Sequence, residues 1–167
     1  MIISVPSGTR DTLPSEVYKW HYAEKKFAEI WKNYGFSEIR TPEVEHTRLF
    51  TTSVGDTTDI VQKKMYTFDD LSKDSMTLKL EGTSPVCRSY IENKRYTELQ
   101  PAKYYYITPC FRHESFRSGN LNVFHQFGVE TFGTIELISD LECICLCYDF
   151  LREMGFDNIK IKINSAG

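Results

Sequence analysis

The 167-residue sequence has no apolar run near the ~20 residues that a membrane-spanning helix requires, so no membrane association is expected. It has no CxxC pair, and its five cysteines (Cys87, Cys110, Cys143, Cys145 and Cys147) are odd in number. Three of them fall in one apolar helical run, where thiols act as small buried hydrophobes. That pattern argues against a disulfide framework and for a reduced, cytoplasmic setting. An excess of cations is also missing. The formal net charge of −3 gives no support for a strongly basic nucleic-acid binder, although it leaves room for a local contact. The opening residues MIISVPSGTRD carry neither a basic leader nor a long apolar core, so no export signal is expected. Repeats, low-complexity tracts and linkers are absent too. The composition, 41% apolar and 26% charged, suits a globular chain with one sizeable core, and residues 1–167 are expected to form a single domain.

Periodicity then places the elements. Pro14 is favoured at a first helical position. Val17, Trp20, Ala23, Phe27, Ile30 and Tyr34 follow at spacings of three and four, which predicts a helix closed by Gly35. FSEIRTPEVE predicts a strand interrupted at Pro42. Residues 51–64 are polar and predict a loop. In MTLKLEGTSP, Met76, Leu78 and Leu80 share one strand face, while Thr77, Lys79, Glu81 and Thr83 share the other. Ser84 and Pro85 predict the cap and opening of a short helix through Asn93. KYYYITPCFRHE and NVFHQFGVETFG predict two strong strands joined as a hairpin. Ser139 with Glu142 forms a capping-box pattern before a helix ended by Gly155, and NIKIKINSAG alternates as a final strand. The expected class is α+β, an antiparallel sheet flanked by helices.

One face of the predicted hairpin is unusual. Side chains two apart on a strand point the same way, so Cys110, Arg112 and Glu114 share a face, as do Phe124, Gln126, Gly128, Glu130 and Phe132. The opposite face of the second strand is largely apolar and suits packing beneath helices. A sheet with one solvated face is the ordinary explanation of a polar strand face. Phe124 and Phe132 on the wet side, and a gap at Gly128, favour a pocket floor instead: an aromatic plate for a flat ligand, with room for it to approach the backbone. Arginine supplies a fork of donors for phosphate or carboxylate, and Glu81 and Glu130 can accept from an ammonium or a ring N–H. Glu81 before a helix also suits the helix N-terminal dipole, and Thr83 suits a cap. His113 and His125 lie on the other parity and read as structural. His21 and His46 complete no metal-ligand spacing, and no metal site is expected.

Five blocks in register resemble the histidyl-tRNA synthetase family of class II aminoacyl-tRNA synthetases. They are GTRDTLP at 8–14, EIRTPEVEHTRLF at 38–50, VGDTTDIVQKKMYTF at 54–68, LKLEGT at 78–83 and FRHE with FHQFGVETFG within 111–133. The segments 14–45 and 110–132 resemble class II motifs 1 and 2. The resemblance implies the N-terminal part of a class II catalytic core, acting as a histidine–tRNA ligase. It implies that Arg112 is catalytic, binding the α-phosphate of ATP beside the histidine carboxylate. Glu114 would read the adenine amino group, and Phe124 would stack on the ring. Glu81, Thr83, Arg112 and Gln126 would hold the amino acid's backbone groups, and Glu130 its imidazole. ATP with Mg2+, histidine and tRNA(His) are the implied co-substrates, ion and partners, and motif 1 implies a homodimer.

Departures from the family pattern qualify these expectations. Ser115, Asn120 and Asn122 stand where cations are usual in the motif 2 loop, which should weaken phosphate contacts. Lys79 and Leu80 replace a usual Arg and Pro. The 167 residues stop at INSAG, before motif 3, the histidine-specific segment and the anticodon-binding domain, so this stretch alone is not expected to complete the reaction. The alternative is a synthetase-like relative without catalysis, such as the regulatory subunit of ATP phosphoribosyltransferase.

Overall fold

A computed structural model describes residues 3–55, 59–114 and 120–164. Helix α1 (Pro14–Asn33) begins with its proline in the first turn and ends where Gly35 takes a left-handed φ of +79°. The chain then forms two short strands, β1 (Ser37–Glu38) and β2 (Val44–His46), broken at the predicted proline. Helices α2 (Thr47–Val54) and α3 (Asp59–Lys64) follow, then β3 (Thr67–Asp69), β4 (Ser75–Leu78), α4 (Thr83–Glu92), a 3₁₀ turn at Arg95–Thr97, β5 (Ala102–Phe111), β6 (Val123–Phe132) and α5 (Leu137–Glu153).

The long β5–β6 hairpin is the platform. It pairs antiparallel over ten residues from Ala102↔Phe132 to Phe111↔Val123, and β1 adds to the free side of β5 as a short parallel edge. Beneath it, Phe27, Trp31, Phe36, Tyr105 and Leu146 form the buried core, with Ile107, Phe127 and Val129 packed against them. The Phe27 ring lies 4.0 Å from Trp31, 4.8 Å from Phe127 and 5.3 Å from Phe150, so α1, α5 and the odd-numbered face of the hairpin meet at one aromatic cluster. The apolar face predicted for β6 is therefore the core face. The stripe on α1 is shifted: Trp31, one turn after Phe27, is buried at 2% exposure, whereas Val17 is exposed.

Four expectations are corrected. Residues 51–64 are not a loop, because α2 and α3 occupy most of them; residues 56–58 lie outside the described residues. Phe50 is fully buried, which anchors the helix by packing, and Ser53 Oγ donates to the carbonyl of Leu49 one turn back. Strand β4 does not extend the hairpin sheet. It forms a second antiparallel sheet in the order β2-β4-β3, which leaves Thr77 and Lys79 fully buried. Ser139 caps nothing: α5 starts at Leu137 behind Glu136, and Glu142 instead pairs with Lys103 at 2.6 Å. Residues 156–164 form no strand; their alternation has no neighbouring ladder among the described residues.

Candidate functional site

The even-numbered face of the hairpin looks away from the aromatic core, toward the turn that enters α4. Gln126 holds that turn in place, and Cys110 lies against Gln126. Gln126 Oε1 accepts from the backbone N–H of Gly82 at 2.8 Å, and the Cys110 thiol lies 3.4 Å from the same oxygen. The Cys110 thiol is pushed up to about 12 by burial, so it remains a neutral donor there. Helix α4 is fastened from its far side, where Arg88 pairs with the buried Glu45 of β2 at 2.7 Å and Ser84 meets Ser53 of α2 at 2.7 Å. Glu81 accepts from the N–H groups of Thr83 at 2.6 Å and Ser84 at 2.8 Å. It thus faces the helix N-terminus as its position suggested, whereas neither Thr83 nor Ser84 is the cap: Gly82 occupies that position. Thr83 is the first residue of the helix and is exposed at the rim.

Beyond the end of β5, the chain turns irregular and presents Arg112 and Glu114. Arg112 Nε donates to the carbonyl of Leu80 at 2.9 Å, and its guanidinium lies 5.0 Å from the centre of the Phe124 ring. One edge of the fork is thereby fixed while the terminal nitrogens stay outside that bond. Glu114 is largely buried and its Oε1 lies 2.7 Å from Lys64 Nζ, an ion pair between α3 and the segment after β5. Arg112, Glu114, Asn120, Leu121 and Phe124 line one cavity of about 240 Å³. The three residues that the family resemblance assigns to a nucleotide thus line a single space.

Glu130 lies on β6, four residues beyond Gln126. Burial pushes its carboxyl above the ordinary range, partly offset by the hydroxyls of Thr83 and Tyr106. The Tyr106 hydroxyl donates to Glu130 Oε1 at 3.3 Å.

Two details of the expected pocket floor are corrected. Phe132 is no ligand plate. It stacks on Tyr90 of α4, with ring centres 4.3 Å apart and planes 12° from parallel. The gap at Gly128 is not open either: Tyr106 stands directly across the hairpin from it, and a Cβ there would collide with the phenol ring. Tyr106 and Lys64 are the site residues that sequence reasoning missed. Tyr106 was findable, since it shares the even parity of Cys110 on the same strand. Lys64 had no local signal, because only tertiary folding brings it to Glu114.

Asn122, read as a lost cation, is a bracket. Its side chain accepts from the N–H of Glu114 at 3.0 Å and donates to the carbonyl of Ser7 at 3.2 Å, and its backbone N–H donates to Gly8 at 2.6 Å. Ser115 lies outside the described residues. His113 and His125 are exposed and away from the cavity, the latter ring 4.7 Å from Trp20. Among the described residues, no group of three His, Cys, Asp or Glu is arranged to hold a metal ion, and no helix is long and apolar enough to cross a membrane.

Comparison with known proteins gives this geometry a context. The family model described as Histidyl-tRNA synthetase matches residues 8–167. The histidine–tRNA ligases of Caldanaerobacter subterraneus subsp. tengcongensis and Clostridium kluyveri are each 51% identical to it over all 167 residues, and the chain spans 40% of the length of each. Among solved structures, apo histidyl-tRNA synthetase from S. aureus is 37% identical, with a TM-score of 0.78 over 92% of this chain and 35% of that one. A Bacillus halodurans protein described as an ATP phosphoribosyltransferase regulatory subunit/histidyl-tRNA synthetase shares the fold, with a TM-score of 0.80 at 24% identity over 94% of this chain and 39% of its own. The chain belongs to the histidyl-tRNA synthetase family.

Proposed function

We propose that the chain carries the amino-acid and nucleotide site of a histidine–tRNA ligase, an enzyme that activates histidine with ATP and transfers it to tRNA(His). The observation that carries this reading is the shared cavity of Arg112, Glu114 and Phe124 beside the Glu81, Gln126 and Glu130 cluster.

In this reading adenine stacks on Phe124 and offers its amino group to Glu114, which must first part from Lys64. Arg112, fixed through Nε by Leu80, directs its terminal nitrogens at the α-phosphate and the histidine carboxylate. A carboxylate oxygen attacks the α-phosphorus, the bond to the bridging oxygen breaks, and pyrophosphate leaves with the electron pair. Arginine supplies charge stabilisation there rather than a proton. Glu81, Thr83 and Gln126 receive the α-amino group, and Glu130 accepts from the imidazole. A pocket that pairs a buried carboxylate with a ring N–H leaves that group unsatisfied when a ligand lacks the donor, which discriminates by roughly 10⁴ or more. Mg2+ would enter with the ATP phosphates, since that ion is commonly held by phosphates and few carboxylates.

Exposed Val17, Tyr18 and Tyr22 in the first turns of α1 support a homodimer through residues 14–45. Five free thiols support residence in a reducing cytoplasm.

The test is histidine-dependent ATP–pyrophosphate exchange in the full-length protein. Arg112→Ala should abolish exchange, and near-normal exchange would refute its catalytic role. Glu130→Ala should remove histidine binding measured by calorimetry. Histidine binding without any exchange would assign the chain to the regulatory-subunit reading instead.

A further inference from the structure

The functional reading leaves one buried phenol unused. Tyr106 pairs with Gly128 across the hairpin and is 6% exposed. Its ring lies against both glycines of the site, so that a Cβ on either Gly82 or Gly128 would collide with it. The turn before α4 and strand β6 thus clamp the ring from two directions, and packing fixes where the hydroxyl ends. That point is 3.3 Å from Glu130 Oε1.

The groups around the Glu130 carboxylate are few. Strand β5 contributes the Tyr106 phenol, α4 the Thr83 hydroxyl and the Cys87 thiol, and the turn before α4 the Glu81 carboxylate. None of these four is a cation. A buried carboxylate in such company depends on neutral donors to stay ionised.

We infer that Tyr106 is the positioning residue for imidazole recognition: its O–H holds one oxygen of Glu130 and leaves the remaining lone pairs for a ligand ring N–H. Burial pushes the phenol above its usual range, so it stays a donor across neutral pH. The same clamp explains why glycine stands at both 82 and 128, since any side chain there would displace the ring that aims the carboxylate. The inference rests on the histidine reading of the site and adds a residue to it.

The test compares wild type with Tyr106→Phe in the full-length protein, which keeps the ring under both glycines and removes only the hydroxyl. Histidine KM in exchange should rise about tenfold, the scale of a hydrogen bond to a charged group, with ATP KM changed less than twofold. The pH at which histidine binding is half lost should move up. In a Glu130→Gln background, Tyr106→Phe should have no further effect on histidine KM. A second measurement uses fluorotyrosine at position 106 alone, which keeps the shape and strengthens the donor; it should move the same midpoint down. Unchanged histidine KM and pH midpoint, an equal rise in both KM values, or additive effects with Glu130→Gln would overturn the inference while the ligase reading stands. A wild type whose exchange ignores histidine would overturn both.

Discussion

Lys64 Nζ sits 2.7 Å from Glu114 Oε1, so the carboxylate expected to read adenine is held by a lysine from another element. The lysine is about a third exposed, which limits the pair to roughly 0–1 kcal/mol. A nucleotide bound as proposed would have to displace this contact. Lys64→Met should therefore lower ATP KM by about two- to fivefold, the equivalent of that energy, in histidine-dependent exchange. A higher ATP KM would show that Lys64 instead contributes to phosphate binding.

Glu130 makes stability and binding run in opposite directions with pH. Its folded carboxyl is raised by burial, so the stability it contributes is fully present below the ordinary carboxylate pKa of about 4.3 and is lost as pH rises through the raised folded value. In the proposed site, histidine recognition would need the anion and would strengthen over the same rise. Glu130→Gln should flatten the stability trend, leaving the variant more stable than wild type at neutral pH, while weakening histidine binding without abolishing it. Urea midpoints compared at pH 4 and pH 7.5, beside calorimetry, check both halves.

The clamp on Tyr106 predicts a coupling. Gly128→Ala drives a methyl group into the phenol, an overpacking expected to cost about 1–3 kcal/mol. Combined with Tyr106→Ala, that cost should largely vanish, giving a double-mutant cycle with a coupling above about 0.5 kcal/mol. Additive effects in urea unfolding would mean the two residues are not in contact.

Lys79 is the second buried oddity. Its side chain is 0% exposed, its ammonium donates to the Thr41 carbonyl at 3.2 Å, and Glu43 lies 3.7 Å away but half exposed. Desolvation lowers its pKa despite Glu43. Lys79→Met keeps the volume and orphans the carbonyl, for a loss of about 1–3 kcal/mol. Lys79→Ala should lose more, because it adds a cavity. The backbone of this residue accepts from Phe111, next to Arg112, so exchange activity should fall along with stability in the alanine variant.

Much of the fold follows from local pattern. Pro14, the apolar spacing through Phe27 and the left-handed Gly35 delimit α1, and strict alternation delimits β5 and β6, because these signals act within a few residues of themselves. The failures share a cause. Residues 158–167 alternate as well as β6 does, yet no described neighbour supplies a ladder; Ser139 and Glu142 spell a cap, yet Lys103 claims the glutamate. Each depends on what stands beside the segment, which periodicity does not encode.

By itself the sequence determined that Phe124, Gln126 and Glu130 share one face of β6, since the two-residue strand repeat leaves those side chains little choice, and that Arg112 and Glu114 stand close by in the chain, just past the end of β5. Only the tertiary structure decided that β4 belongs to a second sheet, that Tyr106 fills the gap at Gly128, and that Lys64 reaches Glu114. Those are contacts between segments far apart in the chain, settled by which packing buries the most apolar surface while pairing most buried polar groups.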